Sequence, residues 1–483
     1  MKNILVKDII RECNGKLLCG DVNTICEEYC RDSREIKNGD IYVGIKGENF
    51  NGSDFYNDAL EKGAIGCILQ DTVITDKEIK NYKDKFIIIV DNVVEAIQKL
   101  SAYKRSLYNI PVIGVTGSVG KTSTKDIIAS VLSQKYKTLK TEGNYNNEIG
   151  LPLTLLKLKD HEAAVIEMGM SSIGEISLLT KIAKPTTAVI TIIGSSHIGE
   201  LGSRENILKA KLEILEGLDA KGSLIINNDN DLLHNWNKNN TDNHKHITYG
   251  IENKSILMAK NIKVDKEASF FEITHNNKTY TVTVPVGGQH FIYNSLCAIC
   301  VGLEYGIEIE DIIKGISDFK LTKRRMEVVK NSNNVTIIND SYNASYESMK
   351  SALEYVNKVD ANQKIAVLGD VLELGEFSKQ MHEKIGEEVI KNKINTLITV
   401  GKEAENISNK AIELGMDKKN IYHFTNNEDA IRKIKMIAKA GDIVLVKASN
   451  GMHIDEIVER IINNKKKKNI HTFGSEYIWE EKL

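Results

Sequence analysis

GVTGSVGKTSTKD, residues 114–126, decides how the rest of the chain is read. It grows out of PVIGVT (111–116), a β-branched run that reads as a buried strand. It leads into KDIIASVLSQKY (125–136), whose Ile127, Ile128, Val131 and Leu132 share one helical face. A strand, a glycine-rich turn and a Gly-Lys-Thr that opens a helix together cradle phosphate. Backbone N–H groups across Gly117, Ser118, Val119, Gly120 and Ser123 would face the anion, Lys121 supplies a point charge, and the Thr122 hydroxyl suits Mg²⁺. The usual spacing places a glycine five residues before Gly120. Val115 stands there instead, with glycines at 114, 117 and 120. The stretch reads as an ATP site.

The 483 residues leave room for two to four domains. The 64 basic and 66 acidic residues nearly balance, so no footprint for nucleic acid is expected. No apolar stretch approaches membrane-spanning length. The opening MKNILVKDIIREC is interrupted by Lys7 and Asp8, unlike a signal peptide, and a cytoplasmic protein is expected. Seven cysteines, an odd count, suit free thiols. Cys13, Cys19, Cys26 and Cys30 lack a C-x-x-C pair and a nearby histidine, so no structural metal is expected there. Cys297 and Cys300 fall in a helical run as core residues, and Lys465–Lys468 reads as a solvated end.

Strand and helix signals alternate along the whole chain, which predicts α/β units with mostly parallel sheets. Residues 1–105 form a first unit. A strand near 40–45 is followed by a donor-rich loop with Lys46, Gly47, Asn49 and Asn51, then a helix expected to turn Phe55, Ala59 and Leu60 inward. In the second unit, 106–320, apolar strands at 163–169, 186–194 and 222–231 each run toward polar residues: Glu167, His197, Asn228 and Asp229. Strand carboxyl ends gather at the ligand crevice of such a sheet, so Glu167 and His197 are candidate Mg²⁺ ligands opposite Lys121. The helix at 206–218 carries Lys209 and Lys211, whose spacing alone reads as a solvated face. An Asn-Asn turn within 269–286 predicts a hairpin, and His290 and Asn294 lie at the polar start of the next helix. The third unit, 321–464, has polar loops NDSYNAS (339–345) and GDVLELGE (369–376) after two strands, and 465–483 form a tail.

Taken in order, DSR (32–34), GDIYVGIKGENFNG (39–52), the phosphate loop, TEGNYNNEIGLP (141–152), EMG (167–169), SHIGELGSRENILKAKLEI (196–214), KRRMEVV (323–329), DSYNAS and LGDVLELG (368–375) resemble the Mur ligases over nearly the whole chain. The unusual glycine spacing belongs to that family's pattern. The resemblance implies three domains: one for a uridine nucleotide, a central phosphate-loop ATPase-like sheet with helices on both faces, and a Rossmann-like C-terminal domain. It implies an ATP-dependent, Mg²⁺-dependent ligase, with two ions, that adds D-Ala-D-Ala to UDP-MurNAc-tripeptide through an acyl phosphate, acting as a monomer. By the same resemblance, Lys121 holds the β/γ-phosphates and Thr122 a first Mg²⁺. Glu167, His197 and a carbamylated Lys211 would serve a second ion. Ser33, Arg34 and Lys46 fall to the uridine side, and Asn146 and Asn147 lie where nucleotide and substrate phosphates meet. Asn294, Arg325 and Asp340 are placed around ATP and domain closure, with Tyr342 and Asn343 facing the dipeptide.

The chain departs from the family at Phe291, where asparagine is usual, at Asn339 for aspartate, at Ser345-Tyr346 for Asn-Pro, and at Asn450 for arginine. Two alternatives follow. One is a related ligase with another amino substrate (D-Ala-D-Ser, D-Ala-D-Lac or the third stem residue). The other is a nucleotide-binding paralogue without turnover, which the intact Lys121, Thr122, Glu167, His197 and Asp340 oppose.

Overall fold

Strands buried on both faces need helices above and below them, and the chain meets that need in three successive units. The computed structural model describes residues 2–240 and 242–462, so the Lys465–Lys468 run lies outside the described residues. The central unit is a seven-stranded, all-parallel sheet. Val112–Thr116 runs through its middle, between Ala163–Glu167 and Thr187–Ile190, and all three strands are fully buried. From Val112–Thr116 the chain moves outward to the edge strand Thr138–Lys140, returns to Ala163–Glu167, and then crosses to Thr187–Ile190 on the other side. The sheet therefore switches direction beside Val112–Thr116, which is where an open α/β sheet forms its crevice. The phosphate loop, Glu167 and the loop carrying His197 all leave strand carboxyl ends at that point.

A three-stranded antiparallel sheet, Lys260–Val264, Ser269–His275 and Lys278–Val284, is added to this unit. Asn276 and Asn277 turn its hairpin with φ of 50° and 60°, the left-handed pair that a two-residue turn requires. In the N-terminal unit five strands pair in the order Lys16–Cys19, Phe86–Ile89, Gly66–Leu69, Ile41–Val43, Tyr29–Cys30, with only the first antiparallel. The C-terminal unit has six strands. Glu327–Lys330 is antiparallel to Thr336–Asn339, and Ile443–Lys447, Lys364–Gly369, Thr396–Val400 and Ile421–Phe424 complete a parallel set.

Two local expectations need correction. Phe55 does not face inward; it is 44 % exposed and packs edge-on against Phe50 at 5.9 Å. Asn51 caps a 3₁₀ turn, Gly52–Phe55, so the α-helix starts one residue later and Tyr56, Ala59 and Leu60 take the i, i+3, i+4 inward stripe. The helix expected over 206–218 divides into Arg204–Leu212 and a 3₁₀ turn Glu213–Gly217, and Lys211 is wholly buried rather than solvated. The cysteines are all free, and Cys297 and Cys300 lie in the core of the helix Gln289–Glu304. Among the described residues no helix is long and apolar enough to cross a membrane.

Arg105, near the end of the helix Val93–Ser106, fastens the first unit to the second. Its guanidinium donates to the carbonyls of Ala183 (2.9 Å), Lys184 (3.1 Å) and Tyr108 (2.6 Å) while almost wholly buried. Arg105→Ala strands these acceptors and should cost at least about 2 kcal/mol, read as a lower denaturation midpoint in urea. An unchanged midpoint would show that the junction does not depend on this side chain.

Candidate active site

The phosphate loop is held from behind by residues of the next strand's loop. Gly117 has a φ of +146°, and a Cβ there would lie 2.0 Å from Thr191 Oγ1, so only glycine fits. Thr191 Oγ1 in turn donates to the Val119 carbonyl (2.6 Å), the Ser118 N–H donates to the Ile192 carbonyl (2.9 Å), and Ser196 Oγ donates to the Ser118 carbonyl (3.2 Å). Gly120, at φ +87°, is the N-cap of the helix Lys121–Leu132. That helix presents its positive end and first N–H groups to the crevice.

Lys121 folds back to donate to the Gly117 carbonyl at 2.8 Å. Burial pushes its ammonium below the ordinary lysine value, Arg325 adds to the drop, and Glu167 opposes it. The Thr122 hydroxyl accepts from Arg325 Nη2 at 2.9 Å, so a residue of the third unit already reaches the phosphate loop. Arg325 also lies over the Tyr342 ring, 4.1 Å from its centroid, a cation–π contact that fixes both side chains.

Glu167 ends its strand with one oxygen satisfied and one not. Oε1 accepts from Asn146 Nδ2 at 2.8 Å, while Oε2 is buried without a hydrogen-bond partner. Lys211 is a second such group. Its Nζ is buried and unpartnered, and burial first, then the Lys121 charge, hold its pKa well below the ordinary value. Buried polar groups are almost always paired. Two orphans, one acidic and one basic, on elements that converge on the same crevice mark a place prepared for something else. His197 has a φ of 63° and its Nδ1 lies 2.6 Å from Glu373 Oε2 of the third unit. Among the described residues no group of three or more His, Cys, Asp or Glu side chains is gathered for a metal.

Opposite the phosphate loop, the carboxyl ends of the C-terminal strands bring a second charged set. Thr336–Asn339 and Ile443–Lys447 are adjacent and parallel, which sets Asp340 beside Lys447. Lys447 Nζ donates to Asp340 Oδ2 (2.6 Å) and to the Asn343 carbonyl (2.9 Å), and Asp340 Oδ1 accepts from the Met326 N–H (3.1 Å). Burial lowers the Lys447 pKa and Asp340 opposes the shift. Asn294 is buried with its Nδ2 unpartnered, and His290, one turn earlier, is pushed down to about 4 by burial. Phe291 packs against Phe319 and the His290 ring. Asn339 is taken up locally, accepting from Ser341 Oγ and donating to Glu327.

One cleft of about 1000 Å³ is lined by Ser118–Ser123, Asn146, Asn147, Glu167, His197, Asn294, Arg325, Asp340, Tyr342 and Asn343. Gly117 and Lys211 are not among the residues that line it. Ser33, Arg34 and Lys46 are elsewhere, in the N-terminal unit, where Arg34 pairs with Asp32 and Lys46 with Asp71. Arg31, over the Tyr145 ring at 5.3 Å, brings that unit against the central loop that carries Asn146. Sequence reasoning missed the roles of Lys447 and Glu373. Only the polar loop GDVLELGE hinted at the second, and Lys447 pairs with a residue 107 positions away.

Three family models match in chain order: the Mur ligase family, catalytic domain over 29–105, the Mur ligase middle domain over 115–302, and the Mur ligase, glutamate ligase domain over 324–450. The UDP-N-acetylmuramoyl-tripeptide–D-alanyl-D-alanine ligase of Bacillus subtilis is 39 % identical over 445 residues, 91 % of this chain and 94 % of that one. Its Escherichia coli counterpart is 30 % identical, covering 93 % and 96 %. Among solved structures, MurF from Acinetobacter baumannii superposes with a TM-score of 0.85 at 27 % identity, over 96 % of this chain and 99 % of that one. The MurF ligase of Thermotoga maritima in complex with ADP gives 0.77 at 29 % identity, over 90 % and 96 %.

Gly117→Ala should drive its methyl into Thr191 and distort the loop, lowering ADP affinity about 100-fold or more, or roughly 3 kcal/mol. Titration calorimetry checks it. Parental affinity in the folded variant would mean that nucleotide phosphates sit elsewhere.

Proposed function

This chain belongs to the Mur ligase family, and we propose that it is an ATP-dependent ligase adding D-alanyl-D-alanine to UDP-N-acetylmuramoyl-tripeptide during synthesis of the peptidoglycan precursor. The observation that carries this reading is the single cleft in which a phosphate loop on one domain faces the Asp340–Asn343 loop of another. A peptide carboxylate is a poor acyl donor. Its oxygen therefore attacks the γ-phosphorus of ATP, the bond to the ADP oxygen breaks, and an acyl phosphate forms. The dipeptide α-amine then attacks the carbonyl carbon, the C–N bond forms, inorganic phosphate leaves, and the amine proton passes to solvent. An α-amine with a pKa of about 7.7–8.0 is partly neutral at pH 7, so no strong base is required. Positioning and charge neutralisation do most of the catalysis.

Lys121 and Arg325 are the cations for the transferring phosphoryl group. Asn146 and Asn147 would orient the UDP-linked acid whose nucleotide end is held by Ser33, Arg34 and Lys46, and Tyr342 and Asn343 would receive the dipeptide. The unpartnered Glu167 oxygen and the Thr122 hydroxyl, which line the same cleft, suit hard cations that phosphate oxygens complete. Thr122 would hold one Mg²⁺, and Glu167, His197 and Lys211 a second. When bound, the ions supply Lewis-acid neutralisation of phosphate charge. Lys211 would contribute best as a carbamate: its amine is buried without a partner, and burial favours the neutral form that adds CO₂. We place the reaction in the cytoplasm, carried out by a monomer, since one chain supplies every group named. The third domain would pivot over 318–323, where Thr322 Oγ1 donates to Asp126 Oδ2 at 2.5 Å.

Phosphate release from ATP with UDP-MurNAc-tripeptide should require D-Ala-D-Ala. A preference for another dipeptide, or for a single amino acid, would reassign the amino substrate, and no release with any of them would overturn the ligase reading. Lys121→Ala should lower kcat by at least about 10²–10³-fold without unfolding the chain. Lys211→Ala should be nearly inactive and partly restored by short carboxylic acids. Failure of both rescue and CO₂ dependence would exclude the carbamate.

A further inference from the structure

The loop over 191–197, which supports the phosphate loop, is itself gripped from the opposite side by a residue of the third domain. Glu347 is the second residue of the helix Tyr346–Lys358, directly after the loop that carries Asp340, Tyr342 and Asn343. Its carboxylate does not cap its own helix, which Ser345 does. It reaches across the domain boundary instead. Oε1 accepts the Ser195 N–H at 2.8 Å and Oε2 accepts the Ser195 hydroxyl at 3.1 Å.

The contact is close as well as polar. A Cβ on Gly194 would lie 2.6 Å from the Glu347 carboxyl carbon, so glycine is what lets the carboxylate seat. From Ser195 the connection runs through neighbouring residues: Ser196 to the Ser118 carbonyl, the Ile192 carbonyl to the Ser118 N–H, and Thr191 to the Val119 carbonyl. Arg204 steadies the same loop by donating to the Ile193 carbonyl at 2.9 Å. A second seam lies beside it, where the Gly199 N–H donates to the Glu373 carbonyl at 3.1 Å.

We propose that Glu347 and Ser195 form a latch that couples docking of the third domain to the shape of the phosphate loop, and are positioning residues for the ligase reaction. The proposal rests on the ligase reading of the cleft. A carboxylate holding two donors of one residue is geometrically demanding, and charge-assisted hydrogen bonds are the stronger kind. With the latch made, Glu347 and Ser195 register the amine-side loop to the phosphate-side loop, alongside the Arg325–Thr122 contact and the Gly199–Glu373 seam. With it broken, the apolar interior is left intact, because Glu347 lies at a helix end and is not one of the buried core residues.

The test compares parent, Glu347→Ala, Glu347→Gln, Ser195→Ala, Gly194→Ala and the Glu347→Ala/Ser195→Ala double variant, all full length. Glu347→Ala should raise KM for the dipeptide about ten-fold and lower kcat, while KM for ATP moves less than about two-fold. Glu347→Gln keeps one acceptor oxygen and should fall between it and the parent. Gly194→Ala, which evicts the carboxylate without altering it, should resemble Glu347→Ala, and the double variant should be no worse than Glu347→Ala. Small-angle scattering with ADP and UDP-MurNAc-tripeptide should show a larger radius of gyration for Glu347→Ala than for the parent. An unmoved radius together with unmoved dipeptide KM overturns the latch, as do single-variant losses that multiply in the double variant. Should Glu347→Ala fail to fold, Gly194→Ala and Ser195→Ala carry the same comparisons. Loss of turnover in the parent itself would instead strike the ligase reading, and the scattering comparison would still decide the latch.

Discussion

A phosphate loop must leave its backbone N–H groups facing outward for an anion, so it cannot hold itself in shape. The constraint is met here by Thr191, Ile192 and Ser196, which take up the loop's carbonyls and one N–H from behind. Much of the architecture follows. The supporting loop must sit at the carboxyl end of the strand beside Val112–Thr116, which places it on Thr187–Ile190 at the reversal of the sheet. Glu167 arrives at the same level because its strand pairs on the other side, with Glu167 opposite Val115. Parallel register thus sets the spacing of the charged groups before any of them bonds.

The buried charges divide into two kinds. Asp340 and Lys447 neutralise each other and shape the loop opposite the phosphates. Lys211 and the second Glu167 oxygen have no such partner among the described residues. Removing charge from water is costly unless it is paired, so the first set is a finished structure and the second an unfinished one. At the cleft, a paired set on the third domain faces unpaired groups on the central one, which suits a site that ligands complete.

The sequence made the strand–loop–helix at 111–136 legible, because glycine, lysine and a β-branched run each carry local physical meaning. The strands ending at Glu167 and near His197 were legible for the same reason. Residues tied to one another across the fold were not. Lys447 and Asp340 become neighbours through parallel pairing of distant strands, and spacing along the chain carries no trace of it. Lys211 was misjudged from its own helix. It lies on the inward i, i+3, i+4 stripe with Ile207 and Ala210, a position where a lysine is read as solvated from its residue type although the helix places it inside. The resemblance to the Mur ligases, resting on motifs spread along the chain, is what singled out Lys211 as a candidate site residue.

The stretch 319–326 is all that links the last helix of the central unit, Ile309–Asp318, to the first strand of the third, Glu327–Lys330. A tether this short turns the meeting of acyl phosphate and amine loop into an intramolecular event, with effective concentrations on the order of millimolar for a short flexible linker and higher for a pinned one. Thr322, bonded to Asp126 on the phosphate-loop helix, pins it. On the ligase reading proposed above, a third domain tethered in this way would search an arc rather than a volume, and the lifetime of a hydrolysable intermediate would be set against a rotation instead of a diffusional encounter.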